Sequence, residues 1–146
     1  MRGAEHFEER FFRITVDHDA RVYVLQRTSV VYSTVEELEQ AMVELAGVMD
    51  RVGRDGWTMI MDLRSVKGRN DEPFETAMRR LRPLLSKRLH RVGIAVRSVV
   101  GELQILRYVR EDGGEAVVSS DAEVLLKELG LGAAPAGFIV DRRSPL

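Results

Sequence analysis

Trp57 to Phe74 reads W-T-M-I-M-D-L-R-S-V-K-G-R-N-D-E-P-F. Its first five residues are an apolar run too short for a helix and suited to a buried strand, which closes on Asp62. About ten polar residues follow before an amphipathic stretch begins. A short buried strand with a polar loop at its C-terminal end is where open α/β sheets place their working surface. Trp57, inside the apolar run, is read as core. Asp62, at the strand end, is read as an acceptor for loop N–H groups rather than as a reacting carboxylate.

Working outward, the same logic parses both flanks. Upstream, Phe11–Val16 and Arg21–Gln26 are rich in strand formers and are separated by His18-Asp19-Ala20, so they read as a hairpin. Ser29–Tyr32 extends the second strand past a bulge near Thr28. Ser33 and Thr34 precede Glu36 and Glu37 at capping-box spacing. Leu38, Ala41, Met42, Leu45, Ala46 and Met49 then form one helical stripe, opposed by Glu36, Glu39, Glu44 and Asp50. Gly53 and Asp55-Gly56 end that helix.

Downstream, Asn70-Asp71-Glu72-Pro73 is a helix start, with a carboxylate or amide to accept orphan N–H groups and a proline suited to the first turn. The helix is expected to run from Pro73 to Leu89, with Phe74, Met78, Leu81, Leu85 and Leu89 on one face. Val92–Val96 is the next strand, and a helix over 99–110 carries Leu103, Leu106 and Val109. A strand at Glu115–Val118 leads to a helix over Asp121–Leu129, with Ser120 and Glu123 as its capping box. Residues 1–10 are expected to be a flexible N-terminus and 11–130 the folded domain. In the 131–146 tail, Phe138-Ile139-Val140 is either an added edge strand or a segment that docks on a partner. The expected architecture is α/β, a single small domain with a mixed four- to five-stranded sheet and about four helices.

Composition narrows the function. A chain of 146 residues, 45% hydrophobic and 31% charged, suits one globular domain. With no cysteine, disulfides, thiol nucleophiles and thiolate metal sites are excluded. His6, His18 and His90 are far apart in sequence, so no metal or other cofactor is expected. No apolar run reaches a membrane span and the first ten residues lack the apolar stretch of a signal peptide, which predicts a cytoplasmic protein.

The net charge of −1 hides a segregation. Seven basic against twelve acidic residues leave −5 over 1–63, twelve against four leave +8 over 64–110, and three against seven leave −4 over 111–146. The arginines of the basic block lack interleaved aromatics, and both flanks are acidic, so nucleic acid is not an expected partner. A solvated face, or a surface that meets an acidic helix of a second copy, accounts for them better. Nineteen of the 22 basic residues are Arg, a usage that points to a GC-rich bacterial genome. No G-x-S-x-G, P-loop or G-x-G-x-x-G occurs, so no enzyme activity is expected.

The order β-β-α-β-α-β-α-β-α, the strand closing on Asp62-Leu63-X-X-Val66 and the last strand running into Ser120-Asp121-Ala122-Glu123 resemble a STAS domain, the fold of anti-sigma-factor antagonists and of sulfate-transporter tails. The resemblance spans residues 10 to 130. It implies a non-catalytic regulatory domain in bacterial signalling, with a kinase or anti-sigma-type factor as protein partner. In that family the loop after the central strand carries D-S-S-G, whose serine the partner kinase phosphorylates. Aligned without gaps from Asp62-Leu63, Asn70 takes the place of that aspartate and Asp71 that of the phosphorylated serine, while Glu72 and Pro73 replace the second serine and the glycine. The acceptor hydroxyl is absent and the helix start is permanently acidic. Ser65, in the same loop, and Ser98 are the alternative acceptors.

The partner surface implied is Arg64, Ser65, Lys67, Arg69, Asn70, Asp71 and Glu72. A second reading is a small-anion or nucleotide module of the same fold, with Arg64, Lys67 and Arg69 around the ligand. The segregated charge and the apolar Phe138-Ile139-Val140 also suggest a homodimer.

Overall fold

The computed structural model describes residues 3–66, 72–111 and 115–140. Its frame is one six-stranded sheet in which spatial order equals sequence order: β1 (Ala4–Glu8), β2 (Phe12–Asp17), β3 (Val22–Arg27), β4 (Thr58–Asp62), β5 (Arg91–Ala95) and β6 (Val117–Ser119). The first three strands are antiparallel neighbours, and β3 to β6 are parallel. Three crossovers carry α1 (Val35–Val52), α2 (Glu72–Ser86) and α3 (Val99–Glu111), and α4 (Ala122–Glu128) follows β6. The α/β class and four helices are as the sequence predicts, and the sheet has one strand more than its upper bound.

That strand is β1, inside the stretch expected to be flexible. Its residues are polar because it is an edge. Phe7 alone reaches the core, while Glu8 pairs with Arg13, Glu5 with His18, and His6 Nδ1 lies 3.1 Å from Thr15 Oγ1. Charged side chains on an edge strand also discourage pairing with another chain.

Period-two alternation assigns the two faces of the sheet. Ile14, Val16, Tyr23, Leu25 and Met59 point to α1 and α2, where they meet the predicted stripe of α1 and Phe74, Leu81 and Leu85 of α2. Val22, Val24, Ile60 and Ala95 point to the other face, under α4. There α4 lies so close that a Cβ on Gly93 would come 2.6 Å from Leu129 Cδ1. Trp57 is buried and stacks on Tyr23 at 4.6 Å.

Ser29–Tyr32 does not extend the second strand, which ends at Arg27, and four further local expectations change. First, α2 ends at Ser86 rather than Leu89, although Leu89 still packs on the core. Second, α3 presents Ile105, Leu106 and Val109 to Ile94, Val96 and Val118, while Leu103 faces solvent. With β6 only three residues long, the sheet beneath α3 is narrow, and the helix has no fully buried residue. Third, the cap of α4 is Asp121, whose carboxylate accepts from the N–H groups of Glu123 and Val124. The Ser120 hydroxyl instead donates to Glu102.

Fourth, Phe138-Ile139-Val140 is not a strand of the sheet, and its first residue packs on the chain itself while Ile139 is 67% exposed. Phe138 is 4% exposed and packs on the chain's own sheet with Val22, Val24 and Ile60. Full burial of a phenylalanine contributes up to about 3 kcal/mol, enough to hold a short tail in place. The basic block is likewise answered inside the chain. Arg80 on α2 meets Glu39 on α1 at 2.6 Å, and Arg88 meets Asp50 at 3.6 Å. Phe138 of the apolar tail and these two arginines of the basic block are thus engaged within one copy.

Candidate functional site

The parallel strands end together at one edge of the sheet, where the loop after β4 and the first turns of α2 and α3 meet. Asp62 closes β4 with a side chain only 3% exposed, on the α4 face of the sheet. Its Oδ1 accepts from the Arg64 main-chain N–H at 3.1 Å and from Nε at 2.8 Å, and its Oδ2 accepts from Nη2 at 2.8 Å. The guanidinium fork grips both carboxylate oxygens. Arg64 Cζ lies 4.7 Å over the ring of Phe138, so the C-terminal segment covers the pair from outside.

That segment is fixed at two further points. The N–H of Ala136 donates to Asp17 Oδ2 at 2.9 Å, and Gly137, at φ +86°, passes flush against Thr15. Burial works to raise the pKa of Asp17, but N–H donors from Ala136, Ala20 and Asp19 and the nearby His18 outweigh it, and the carboxyl sits below its ordinary value. Asp62 thus organises the loop, as its strand-end position predicts.

The seven residues expected to form a partner surface divide into three groups. Arg64 is folded back onto Asp62 and Phe138. Ser65 is exposed in the loop, and Glu72 is exposed as the first residue of α2. Lys67, Arg69, Asn70 and Asp71 lie outside the described residues. An anion site centred on Arg64 would have to compete with Asp62 for its fork. Across the edge, the Leu63 N–H donates to Ala95 O at 2.9 Å, which holds the β4 loop against the end of β5. Ser98 caps α3 there, its hydroxyl accepting from the Gly101 N–H at 3.1 Å.

The first turns of α3 carry what sequence periodicity did not separate from core. Val99, Val100 and Leu103 are 63%, 75% and 65% exposed, an apolar patch on the first turns of α3. Among the described residues no three His, Asp or Glu side chains are grouped to hold a metal, and no helix is long and apolar enough to cross a membrane.

No family model matches the sequence, and no curated protein does. In three dimensions the chain is similar to an uncharacterized protein from the DUF3478 family with a SpoIIAA-like fold, from Shewanella loihica PV-4. The likeness has a TM-score of 0.58 at 16% identity, over 88% of this chain and 95% of that one. The chain carries the SpoIIAA-like, or STAS, fold. The STAS topology puts the Asp62 loop and the starts of α2 and α3 on one edge, so residues distant in sequence share one surface.

Proposed function

We propose that the chain is a non-catalytic regulatory domain in a signalling pathway, which acts by docking another protein on the STAS edge formed by the β4 loop and the starts of α2 and α3. The observation that carries this reading is the bare patch of Val99, Val100 and Leu103. Apolar side chains clustered in the open are a mark of interaction surfaces. Glu72 and Ser65, exposed along the same edge, supply the polar rim such surfaces use. The partner is a signalling kinase or an anti-sigma-type factor. With Asp71 and Glu72 in place of the serines of STAS antagonists, the site holds its negative charge permanently instead of acquiring it by phosphorylation.

The test is capture from a lysate of the source organism with wild-type protein and with Val100→Glu/Leu103→Glu, read by mass spectrometry. Both positions are exposed, so the variant should melt as the wild type does. Loss of a kinase or anti-sigma-type protein from the variant supports the edge as the docking surface. Equal recovery of the same proteins by both rejects it.

A further inference from the structure

Between the sheet and the underside of α2 and α3 lies a chamber of about 240 Å³ that the edge surface does not use. Its wall is mainly apolar, with Val30, Leu63, Met78, Ile94, Ile105 and Val109 contributed by a loop, two strand ends and two helices. Apolar cavities of about 150 Å³ hold benzene, and at the same volume per carbon this one holds about nine or ten carbons.

Ser29, Tyr32, Glu75, Arg82, Gln104 and Tyr108 bring polar atoms to the wall, and Tyr108 donates its hydroxyl proton to Glu75 at 2.6 Å. Arg27 also lines it. Its Nε donates to Phe11 O at 3.0 Å and its Nη2 to Val30 O at 3.1 Å, while the Tyr32 ring lies 4.2 Å from Cζ. These acceptors are neutral carbonyls. Among the described residues Arg27 makes no salt bridge; Glu9, whose charge reaches it, accepts the Phe11 N–H on Oε1 at 2.6 Å. Burial holds the pKa of Arg27 below its ordinary value, against the charges of Tyr32 and Glu9 that favour the cation. Two of its five donors are taken, and those that remain on Nη1 and Nη2 suit a carboxylate, which accepts two parallel bonds.

We infer that this chamber binds a medium-chain carboxylic acid, with an apolar body of about eight to ten carbons against α2 and α3 and its carboxylate at Arg27. The chamber lies beneath the protein-docking edge and shares Leu63, Val66 and the first turn of α2 with it, but acid binding is read without a protein partner, so failure of one reading is distinguishable from failure of the other.

Isothermal titration of the intact chain with sodium octanoate and sodium decanoate below their micelle thresholds, against octan-1-ol as the neutral control, tests it. Saturable one-to-one binding of the acids, at least tenfold tighter than that of the alcohol, is expected. Ile105→Trp, which fills the chamber from a partly exposed position on α3, should abolish binding while leaving the thermal melt near the wild type. Arg27→Gln should bring the acids down to the affinity of the alcohol and leave the alcohol unchanged. Absence of acid binding to the wild type, or undiminished binding by Ile105→Trp, overturns the site. Equal affinity for acid and alcohol overturns the role of Arg27, and that comparison needs no variant.

Discussion

Arg54 is the residue that sequence reading passes over. It lies between Gly53 and Asp55-Gly56, where a charged side chain reads as solvent-exposed, yet it is 1% exposed. Its Nε donates to Asp50 Oδ1 at 2.7 Å, Nη1 to Leu85 O at 3.0 Å and Nη2 to Ala46 O at 3.2 Å, so one guanidinium ties the end of α1 to the end of α2. The i, i+4 spacing from Asp50 was the only signal in the sequence. It could not show burial, which depends on where α2 lands. Replacing Arg54 with Met keeps most of the volume but leaves the buried Leu85 carbonyl without its donor, so a loss of about 1–3 kcal/mol is expected, seen as a lower urea midpoint at unchanged slope. Asp50→Asn should cost clearly less, because the Asp50 side chain is half exposed and the two carbonyls keep their donor. Equal losses from both substitutions would show that the ion pair, not the carbonyl contacts, anchors the helices.

At the scale of elements, period and capping chemistry were legible and destination was not. Thr34 caps α1 with Glu37 in the capping box that the sequence displays, and Thr58–Asp62 is the central strand expected from the Trp57–Met61 run. The C-terminal segment was legible as apolar, but which surface it covers is set by the face of β3 and β4 that α4 leaves open. Its fit against β2 is close: a Cβ on Gly137 would stand 2.5 Å from Thr15 Oγ1, at a φ that L residues rarely adopt. Gly137→Ala should therefore cost about 1–3 kcal/mol in a thermal melt. Thr15→Ala in the same chain removes Oγ1 and Cγ2 but keeps the Cβ 2.6 Å away, so it should recover only part of the steric cost and leave the backbone part. A Gly137→Ala melt identical to the wild type would mean that the segment is not seated there in solution. Acid should loosen the same segment. The folded pKa of Asp17 is below its ordinary 3.8, so its contribution is complete above that value and is lost as pH falls through the lower folded value. In Asp17→Asn that part of the acid transition should disappear, while an unchanged acid melt would remove Asp17 from the tie.

Over the whole molecule, the uneven charge of the sequence becomes a set of exposed ties between neighbouring helices, each of small energetic weight. The chamber could not be foreseen, because its wall joins a loop, two strand ends and two helices that no single periodicity relates. Both features converge on α3. This helix has no fully buried residue and leaves Val99, Val100 and Leu103 in solvent. It is held by the contacts of Ile105, Leu106 and Val109 and by polar links from Tyr108 to Glu75, Ser120 to Glu102 and Arg79 to Glu111. By contrast, Val22, Tyr23 and Ile60, on the adjacent strands β3 and β4, have no exposure at all. Local opening follows buried apolar contact, so α3 should open without the sheet. Native-state hydrogen exchange should give the α3 amides at least ~100-fold less protection than those of β3 and β4, with α1 close to the strands. A movable α3 would let molecules into the chamber and would change the outer edge as it opened, whereas equal protection across α3 and the central strands would mean that the chamber is sealed and that the edge acts as a rigid surface.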